Sequence, residues 1–179
     1  FICNIRTENV DEEMVRLLHE AGCDRVTLGV QSGSEIIRSN LTGRSKQSNA
    51  NIIEAAQLFN RFKIRIHLDV IVGWPGEQVD QAMEIIPIAR QTGAAKISSN
   101  VMIYLPDATI TQYAYDNGYL DNFPNVFDIA VLANPFTIPL RKTPDIDKLI
   151  NFDKLMTLFI KYEFLCHPWL INILLRLLP

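Results

Sequence analysis

The feature that most constrains the fold of this chain is a regular alternation of short strand-like runs with helical patterns. Four runs rich in β-branched residues cover residues 1–6, 25–31, 63–72 and 96–104. Helical periodicity separates them. Parallel strands need crossover connections of a dozen or more residues, which are usually helices. The alternation therefore predicts successive βα units that build one parallel sheet.

Three helical patterns follow the first three strands. The first is predicted over residues 11–21, because acidic side chains occupy its first turn and Gly22 follows as a stop signal. The second is predicted over residues 48–61 and the third over residues 79–92. Pro87 lies inside the third pattern, where a missing N–H is expected to kink the helix.

Side chains in the predicted strands alternate between an apolar and a polar face. In residues 65–72 one face is entirely aliphatic, whereas the other carries Arg65, His67, Asp69 and Ile71. A parallel sheet covered on both faces would be apolar on both, and an ordinary closed barrel fills its interior with aliphatic side chains. We therefore predict an α/β fold, a partial (β/α) TIM-like barrel of about four parallel strands with outer helices and a polar, ligand-holding interior. A solvated face on an incomplete sheet is the alternative.

The C-terminal part of the chain has a different pattern. Residues 117–144 contain several prolines and asparagines, and an amphipathic helix is predicted over residues 145–164. A short apolar helix over residues 169–178 follows and is expected to pack on another helix rather than on a membrane surface.

Two domain expectations follow from these patterns. We assign residues 1–120 to half of a barrel and residues 121–179 to a helical C-terminal extension. The chain opens inside an apolar stretch with no initiator Met, so we expect it to begin within a domain.

Composition restricts the partners and the location of the protein. With 17 basic and 20 acidic residues, the chain has no excess of positive charge that would indicate nucleic-acid binding through phosphate contacts; a nucleic-acid substrate is unsupported rather than excluded. Its most apolar stretch is interrupted by Asn172 and Arg176 and is too short for a membrane span. The three cysteines have neither C-x-x-C nor disulfide-framework spacing, which favours a reducing, cytoplasmic setting; they are Cys3, Cys23 and Cys166.

Segments that follow the strands are the candidate functional segments, since function in βα barrels lies at the C-terminal ends of the strands. The second strand runs into Gly29-Val30-Gln31-Ser32-Gly33-Ser34-Glu35, the third into Gly73-Trp74-Pro75-Gly76-Glu77, and the fourth into Tyr104-Leu105-Pro106-Asp107-Ala108-Thr109. Glycine at these ends lets a ligand approach the backbone closely.

Four motifs in this order resemble radical S-adenosylmethionine enzymes, in particular the group whose members often carry an N-terminal cobalamin-binding domain. The motifs are similar to that group's third to sixth barrel strands and are, in order, Cys3-Asn4-Ile5-Arg6, Gly29-Val30-Gln31-Ser32-Gly33-Ser34, Asp69-Val70-Ile71-Val72-Gly73-Trp74-Pro75-Gly76-Glu77, and Leu105-Pro106-Asp107-Ala108-Thr109. The chain departs from the family where Asp107 and Ala108 replace a Pro-Gly turn, and where Gly43 precedes Arg44 in place of Asn.

The resemblance implies S-adenosylmethionine and a 4Fe-4S cluster as cofactors, with cobalamin as a possible third. The family's Cys-x-x-x-Cys-x-x-Cys loop follows the first barrel strand, and no cysteine of this chain matches it. The chain alone is therefore expected to be inactive and to need the missing N-terminal half of the barrel, which would supply the cluster ligands.

The resemblance also implies roles for individual residues. Gln31 and Ser32 would face the ribose and methionine parts of the cofactor, and Arg44 would pair with its carboxylate, for which a guanidinium fork is suited. Ile71 would lie against adenine. The implied cofactor-binding set is Gln31, Ser32, Arg44, Asp69, Ile71 and Gly73.

Structural alternatives remain open for several of these positions. Arg44 could be a solvated loop arginine, and Ile71 an inward apolar plug. His67 points to the same interior, where a lone histidine is more often a hydrogen-bonded structural residue. Glu77 could cap the following helix, and Trp74 could be surface packing.

The implied function is reductive cleavage of S-adenosylmethionine to a 5′-deoxyadenosyl radical that abstracts hydrogen from an unknown substrate. Methyl transfer or ring formation with cobalamin is the more specific expectation. The alternative is a non-catalytic half-barrel that serves as a binding or interaction module. A phosphate-binding barrel is disfavoured because no Gly-rich phosphate loop precedes a helix.

Overall fold

The computed structural model of the protein describes residues 1–121, 143 and 145–177. Most of the stretch of residues 117–144 that was singled out by its composition lies outside the described residues.

Four parallel strands form one sheet in the described part of the chain. They are β1 (Ile2–Ile5), β2 (Arg25–Gln31), β3 (Arg65–Val72) and β4 (Lys96–Val101). Their spatial order is the same as their order along the chain, and each neighbouring pair is parallel. Right-handed crossovers that always advance in one direction place their helices on the same face of the sheet, as in a barrel wall. The predicted α/β arrangement is confirmed.

The two faces of the sheet differ in burial as the alternation predicts. On the face that the helices cover, the aliphatic side chains of β2 and β3 are at most 1% exposed; they are Val26, Leu28, Val30, Ile66, Leu68, Val70 and Val72. On the opposite, inner face, Asn4, Arg65 and Asn100 are exposed, and His67 and Asp69 are half-buried. The inner face is therefore not a packed core.

Helices α1 (Glu12–Glu20) and α3 (Asn49–Arg61) follow the predicted spans, because their caps are set by local sequence. The Asp11 carboxylate accepts a hydrogen bond from the Met14 N–H at 2.8 Å. The Ser48 hydroxyl accepts from the Asn51 N–H at 3.1 Å, which completes a capping box.

The third predicted helix is divided in two, α4 (Val79–Met83) and α5 (Ile85–Thr92). Pro87 explains the break. It has no N–H to donate to the carbonyl of Met83 four residues earlier, and its ring would clash with that carbonyl. The chain therefore turns at Glu84, one residue beyond Met83.

Two short helices and a second apolar cluster near the strand ends were not predicted. The helices are α2 (Glu35–Leu41) and α6 (Thr109–Asp116). The cluster consists of Ile37, Trp74, Met102, Tyr104, Ala114 and Leu120, all buried. The prediction that the fourth strand continues to residue 104 is wrong, because β4 ends at Val101 and the chain then turns Met102 and Tyr104 into this cluster.

The C-terminal helices cover the outer face of the sheet. Helix α7 (Ile146–Lys161) ends three residues earlier than predicted, and α8 (Pro168–Leu177) packs against it. The Asn151 amide donates to the carbonyl of Leu175 at 2.9 Å, which joins the two helices. Four side chains of α7 share one core with the strands; they are Leu149, Phe152, Met156 and Phe159. No helix within residues 1–121 and 145–177 combines the length and apolar character needed to cross a bilayer.

Candidate functional site

A cleft of about 480 Å³ opens at the C-terminal ends of β2, β3 and β4. Its wall combines the polar side chain of Gln31 at the end of β2, that of Arg44 after α2, an amide of β4 and a group of aliphatic and aromatic residues. The lining residues are Gln31, Leu41, Thr42, Arg44, Ile71, Trp74, Asn100, Val101, Met102, Ile103, Leu105, Ala108 and Ile110. Three of the six implied cofactor-binding residues, Gln31, Arg44 and Ile71, therefore lie around one cavity.

A bulge at the end of β2 creates the polar side of the cleft. Gly29 is opposite Asp69 in the register, whereas Gln31 is opposite Val70, so the strand gains one residue over its neighbour. Gln31 has a φ of 71°, an unfavourable conformation for a residue with a side chain. Such strain persists only where surrounding contacts enforce it, and it is concentrated at functional sites.

The side chains of Gln31 and Arg44 converge above Gly29. A Cβ atom at Gly29 would lie 3.2 Å from Gln31 Nε2 and 3.5 Å from Arg44 Nη2. Arg44 Nη1 donates to the Gly29 carbonyl at 2.8 Å. The missing side chain at Gly29 thus leaves room for two polar side chains from different segments to approach the backbone closely.

Arg44 keeps unused donors that face open space. Its bond to Gly29 is the one side-chain hydrogen bond that Arg44 makes to the described residues. Burial lowers the pKa of Arg44, and the nearby Arg6 guanidinium lowers it further, while Glu8 acts in the opposite direction. Glu8 pairs with Arg6 at 2.6 Å, and no carboxylate of the residues that the structure describes lies within ion-pair distance of Arg44. The Arg44 guanidinium could therefore bind an anionic ligand through its remaining N–H donors.

The apolar side of the cleft includes Ile71 and Trp74. The Trp74 indole N–H donates to the Ile71 carbonyl at 3.0 Å and lies 3.4 Å from the Gln31 carbonyl. Trp74 is only 5% exposed, so the interpretation of this residue as surface packing is wrong. Its ring instead closes the floor between the ends of β2 and β3.

Ser32, Gly73 and Glu77 form a buried network behind the cleft. Ser32 is fully buried, and its hydroxyl donates to Glu77 Oε1 at 3.2 Å. Glu77 Oε2 accepts from the N–H of Gly73 at 2.6 Å and from that of Trp74 at 3.2 Å. Glu77 does not cap α4, whose N-cap is Gln78. Ser32 and Gly73 do not line the cleft; they hold its two turns together through one carboxyl group.

Burial raises the pKa of Glu77 to about 7, although the bonds from Gly73, Trp74 and Ser32 act in the opposite direction. The nearby carboxylate of Glu84 raises this pKa further. Glu77 therefore changes its charge close to neutral pH while it joins two turns of the site.

Asp69 and His67 lie on the inner face of β3, about two and four residues before Ile71, which lines the cleft. His67 Nε2 is 2.9 Å from the Ser98 hydroxyl on β4, as in the structural alternative for this histidine. Burial lowers the pKa of His67, and Lys96 and Arg25 add to this effect, so the neutral form is favoured. Asp69 is beside Gly29 in the register and half-buried, but it does not line the cleft.

The turn after β4 contains one residue other than glycine with a positive φ. Asp107 has a φ of 62°, the left-handed conformation that glycine adopts most readily and that aspartate tolerates. Ala108 then serves as the N-cap residue of α6 without a side-chain hydrogen bond.

The most important residue that sequence reasoning missed is Arg38 on α2. Its side chain is fully buried and donates to the carbonyls of Ser32 at 2.6 Å and Gly33 at 3.0 Å. Arginine is rarely fully buried, so the residue type gave no sign of burial. An arginine a few residues after a Gly-rich turn is the one signal that could have drawn attention to it.

The described residues contain no group of three or more His, Cys, Asp or Glu side chains that could hold a metal ion. Cys3 and Cys23 are neighbours, with Sγ atoms 3.9 Å apart, whereas Cys166 contacts Arg90 and the Phe159 carbonyl. The three thiols therefore do not converge, and they do not fit an iron-sulfur cluster.

Comparison with known proteins supports the implied family for the first half of the chain. Residues 2–89 match the model of the Radical SAM superfamily, so this segment is similar to that family. The matched range begins in β1 and ends in α5, and it contains all six implied cofactor-binding residues. None of the curated proteins matches the chain.

One solved structure with a similar fold is coproporphyrinogen III oxidase from Escherichia coli, a radical SAM enzyme. It has a TM-score of 0.54 and 16% sequence identity, over 59% of this chain and 24% of that protein. The likeness shows a common fold, which confirms the partial-barrel prediction. The chain spans about a quarter of the length of that enzyme.

Proposed function

We propose that this chain forms the S-adenosylmethionine-binding wall of a radical S-adenosylmethionine enzyme. The observation that carries the proposal is the convergence of Gln31 and Arg44 above Gly29, at the mouth of a cleft whose other wall is apolar. These residues belong to the segment that matches the Radical SAM superfamily model.

The chemistry of the cleft suits the three parts of this cofactor. The free donors of Arg44 can bind the methionine carboxylate in a forked arrangement. The Gln31 amide can donate to and accept from ribose hydroxyls. Ile71 and Trp74 offer an apolar surface on which a flat, weakly polar ring such as adenine can lie.

The bound cofactor with its 4Fe-4S cluster would supply a 5′-deoxyadenosyl radical, whose chemistry belongs to the cofactor. The residues of this chain would bind the cofactor, orient it toward the inner face of the sheet and exclude water. Because the three cysteines do not converge, we propose that the cluster ligands lie on another part of the full-length protein, in the half of the barrel that would pair with β1 and β4. A reducing, cytoplasmic location would suit such a cluster.

For the overall reaction, we propose cobalamin-dependent methyl transfer or cyclisation. The support is the order of the four strand-end motifs, which resembles the cobalamin-associated group.

The test is anaerobic reconstitution of the full-length protein with iron and sulfide, followed by reduction in the presence of S-adenosylmethionine. We expect the absorbance of a 4Fe-4S cluster and formation of 5′-deoxyadenosine. Cobalamin bound in stoichiometric amount after addition of hydroxocobalamin would support the more specific reaction. A full-length protein that assembles no cluster and cleaves no S-adenosylmethionine would contradict the proposal and favour a non-catalytic binding module.

A further inference from the structure

Arg38 is a buried cation whose one ion pair with a described residue is long. Its side chain is 0% exposed, and the nearest carboxylate oxygen, on the half-exposed Glu35, is 3.8 Å from Nη2. Burial lowers the pKa of Arg38, while the carboxylates of Glu35 and Glu84 act in the opposite direction. A buried charge is costly unless its hydrogen-bonding capacity is satisfied. Four oxygen acceptors surround the guanidinium and meet this requirement.

The four acceptors belong to two separate segments of the chain. Nη1 donates to the carbonyls of Ser32 and Gly33, in the turn that follows Gln31. Nε donates to the Gln47 carbonyl at 3.0 Å, and Nη2 donates to the Asn49 side chain. One planar group therefore connects the turn after β2 to the loop before α3.

The backbone of Arg38 also contacts the segment that carries Arg44. Its carbonyl accepts from the Arg44 N–H at 3.1 Å, and the Arg44 carbonyl accepts from the Gln47 N–H at 3.0 Å. Gln47 Nε2 then donates to the Gly29 carbonyl at 3.1 Å, the same oxygen that binds the Arg44 guanidinium. Arg38 thus lies at the junction of the two segments that bring Gln31 and Arg44 together.

From this geometry we propose that Arg38 is a positioning residue that fixes Gln31 and Arg44 relative to each other, and so sets the affinity of the cleft for S-adenosylmethionine. The inference rests on the proposed function of the cleft. It assigns to Arg38 no contact with the cofactor, since its side chain is enclosed by the backbone of both segments.

Lysine cannot replace arginine in this role. The guanidinium presents five N–H donors in a rigid plane and serves acceptors in several directions, whereas a lysine ammonium offers three donors from one point. Arg38→Lys retains the charge but leaves carbonyls of one segment without a donor. We expect the two segments to move apart and the affinity to fall by tenfold or more.

The experiment compares three variants of the full-length protein, reconstituted anaerobically, by equilibrium binding of S-adenosylmethionine at a temperature at which all are folded. Arg38→Lys tests the inference, and Arg44→Ala tests the proposed function of the cleft. Phe159→Leu, in the buried core of α7, is the control that lowers the unfolding temperature at a site away from the cleft. Amide hydrogen exchange of the ligand-free proteins is measured over residues 31–34 and 43–49.

We expect Arg38→Lys to lower the affinity and to accelerate exchange in both segments, while Phe159→Leu does neither. If Arg38→Lys leaves amide exchange in these two segments unchanged, the inference is wrong. It is also wrong if Arg38→Lys binds S-adenosylmethionine with wild-type affinity while Arg44→Ala binds it more weakly. If Arg44→Ala itself binds like the wild type, the proposed function of the cleft fails, and the positioning role of Arg38 fails with it.

Discussion

Replacement of Glu77 by glutamine should remove a pH dependence from the stability of this fold. The buried carboxyl group has a pKa of about 7 in place of its ordinary 4.5, because burial disfavours the ionised form. This difference corresponds to about 3 kcal/mol, at about 1.4 kcal/mol for each pH unit.

The sign follows from which state keeps the proton. Between pH 4.5 and 7 the unfolded chain releases the Glu77 proton while the folded chain retains it, so stability falls as the pH rises through this window. Above pH 7 the Glu77 carboxyl group is ionised in both states, and its contribution to the stability of the fold is fully lost. Glutamine fits the same site, because its oxygen can accept from the N–H groups of Gly73 and Trp74 and its amide can donate to the rotatable Ser32 hydroxyl.

The assay is urea unfolding of the full-length protein at pH 5, 6, 7 and 8, followed by tryptophan fluorescence, since Trp74 adjoins the Glu77 carboxyl. Glu77→Gln should resemble the wild type near pH 5 and be more stable at pH 8, by up to about 3 kcal/mol. Glu54→Gln, at an exposed position of α3, should keep the wild-type profile. A Glu77→Gln profile with the wild-type slope between pH 5 and 7 would refute the reasoning.

Two further predictions concern the turn after β2 and the cysteines. A Cβ at Gly33 would lie 2.2 Å from the backbone nitrogen of Ile85, so Gly33→Ala should lower the free energy of unfolding in urea by more than about 3 kcal/mol. A Cβ at Gly22 would meet no atom within 4 Å, so Gly22→Ala should lower it by only about 1–2 kcal/mol, because of the positive φ. Equal effects of the two substitutions would contradict this packing argument. The 179-residue chain should show no stoichiometric 4Fe-4S absorbance after anaerobic reconstitution, because the thiols of Cys3, Cys23 and Cys166 do not converge. Such absorbance would show that our assignment of the cluster ligands to another segment is wrong.

The strands and the difference between their faces could be predicted from sequence because both depend on local alternation. Every second residue of β3 is buried, as the pattern of Ile66, Leu68, Val70 and Val72 requires. The caps of α1 and α3 were also predictable, since Asp11 and Ser48 act within three residues of their own positions.

The remaining features depend on contacts between distant parts of the chain. The bulge at Gly29 and Gln31 is stabilised by Arg44 and Gln47, which lie more than a dozen residues away. The Ser32 hydroxyl points to a carboxyl group 45 positions further along the chain. The periodicity of a sequence does not predict contacts between residues that are so far apart in the chain. It therefore predicted a site at the strand ends where the cleft lies but could not assign the buried Arg38 and Glu77.

The convergence of Gln31 and Arg44 at one cofactor is the central claim, and equilibrium binding of S-adenosylmethionine to the anaerobically reconstituted full-length protein tests it most directly. Loss of a hydrogen bond to a charged group costs about 1.5–3 kcal/mol, so Arg44→Ala should weaken binding about ten- to a hundredfold. Gln31→Ala should also weaken binding, though less, because its bonds are to neutral hydroxyls. Arg61→Ala, an exposed arginine at the end of α3, should bind like the wild type. If all three variants bind alike, the cleft at the end of β2 is not the S-adenosylmethionine site.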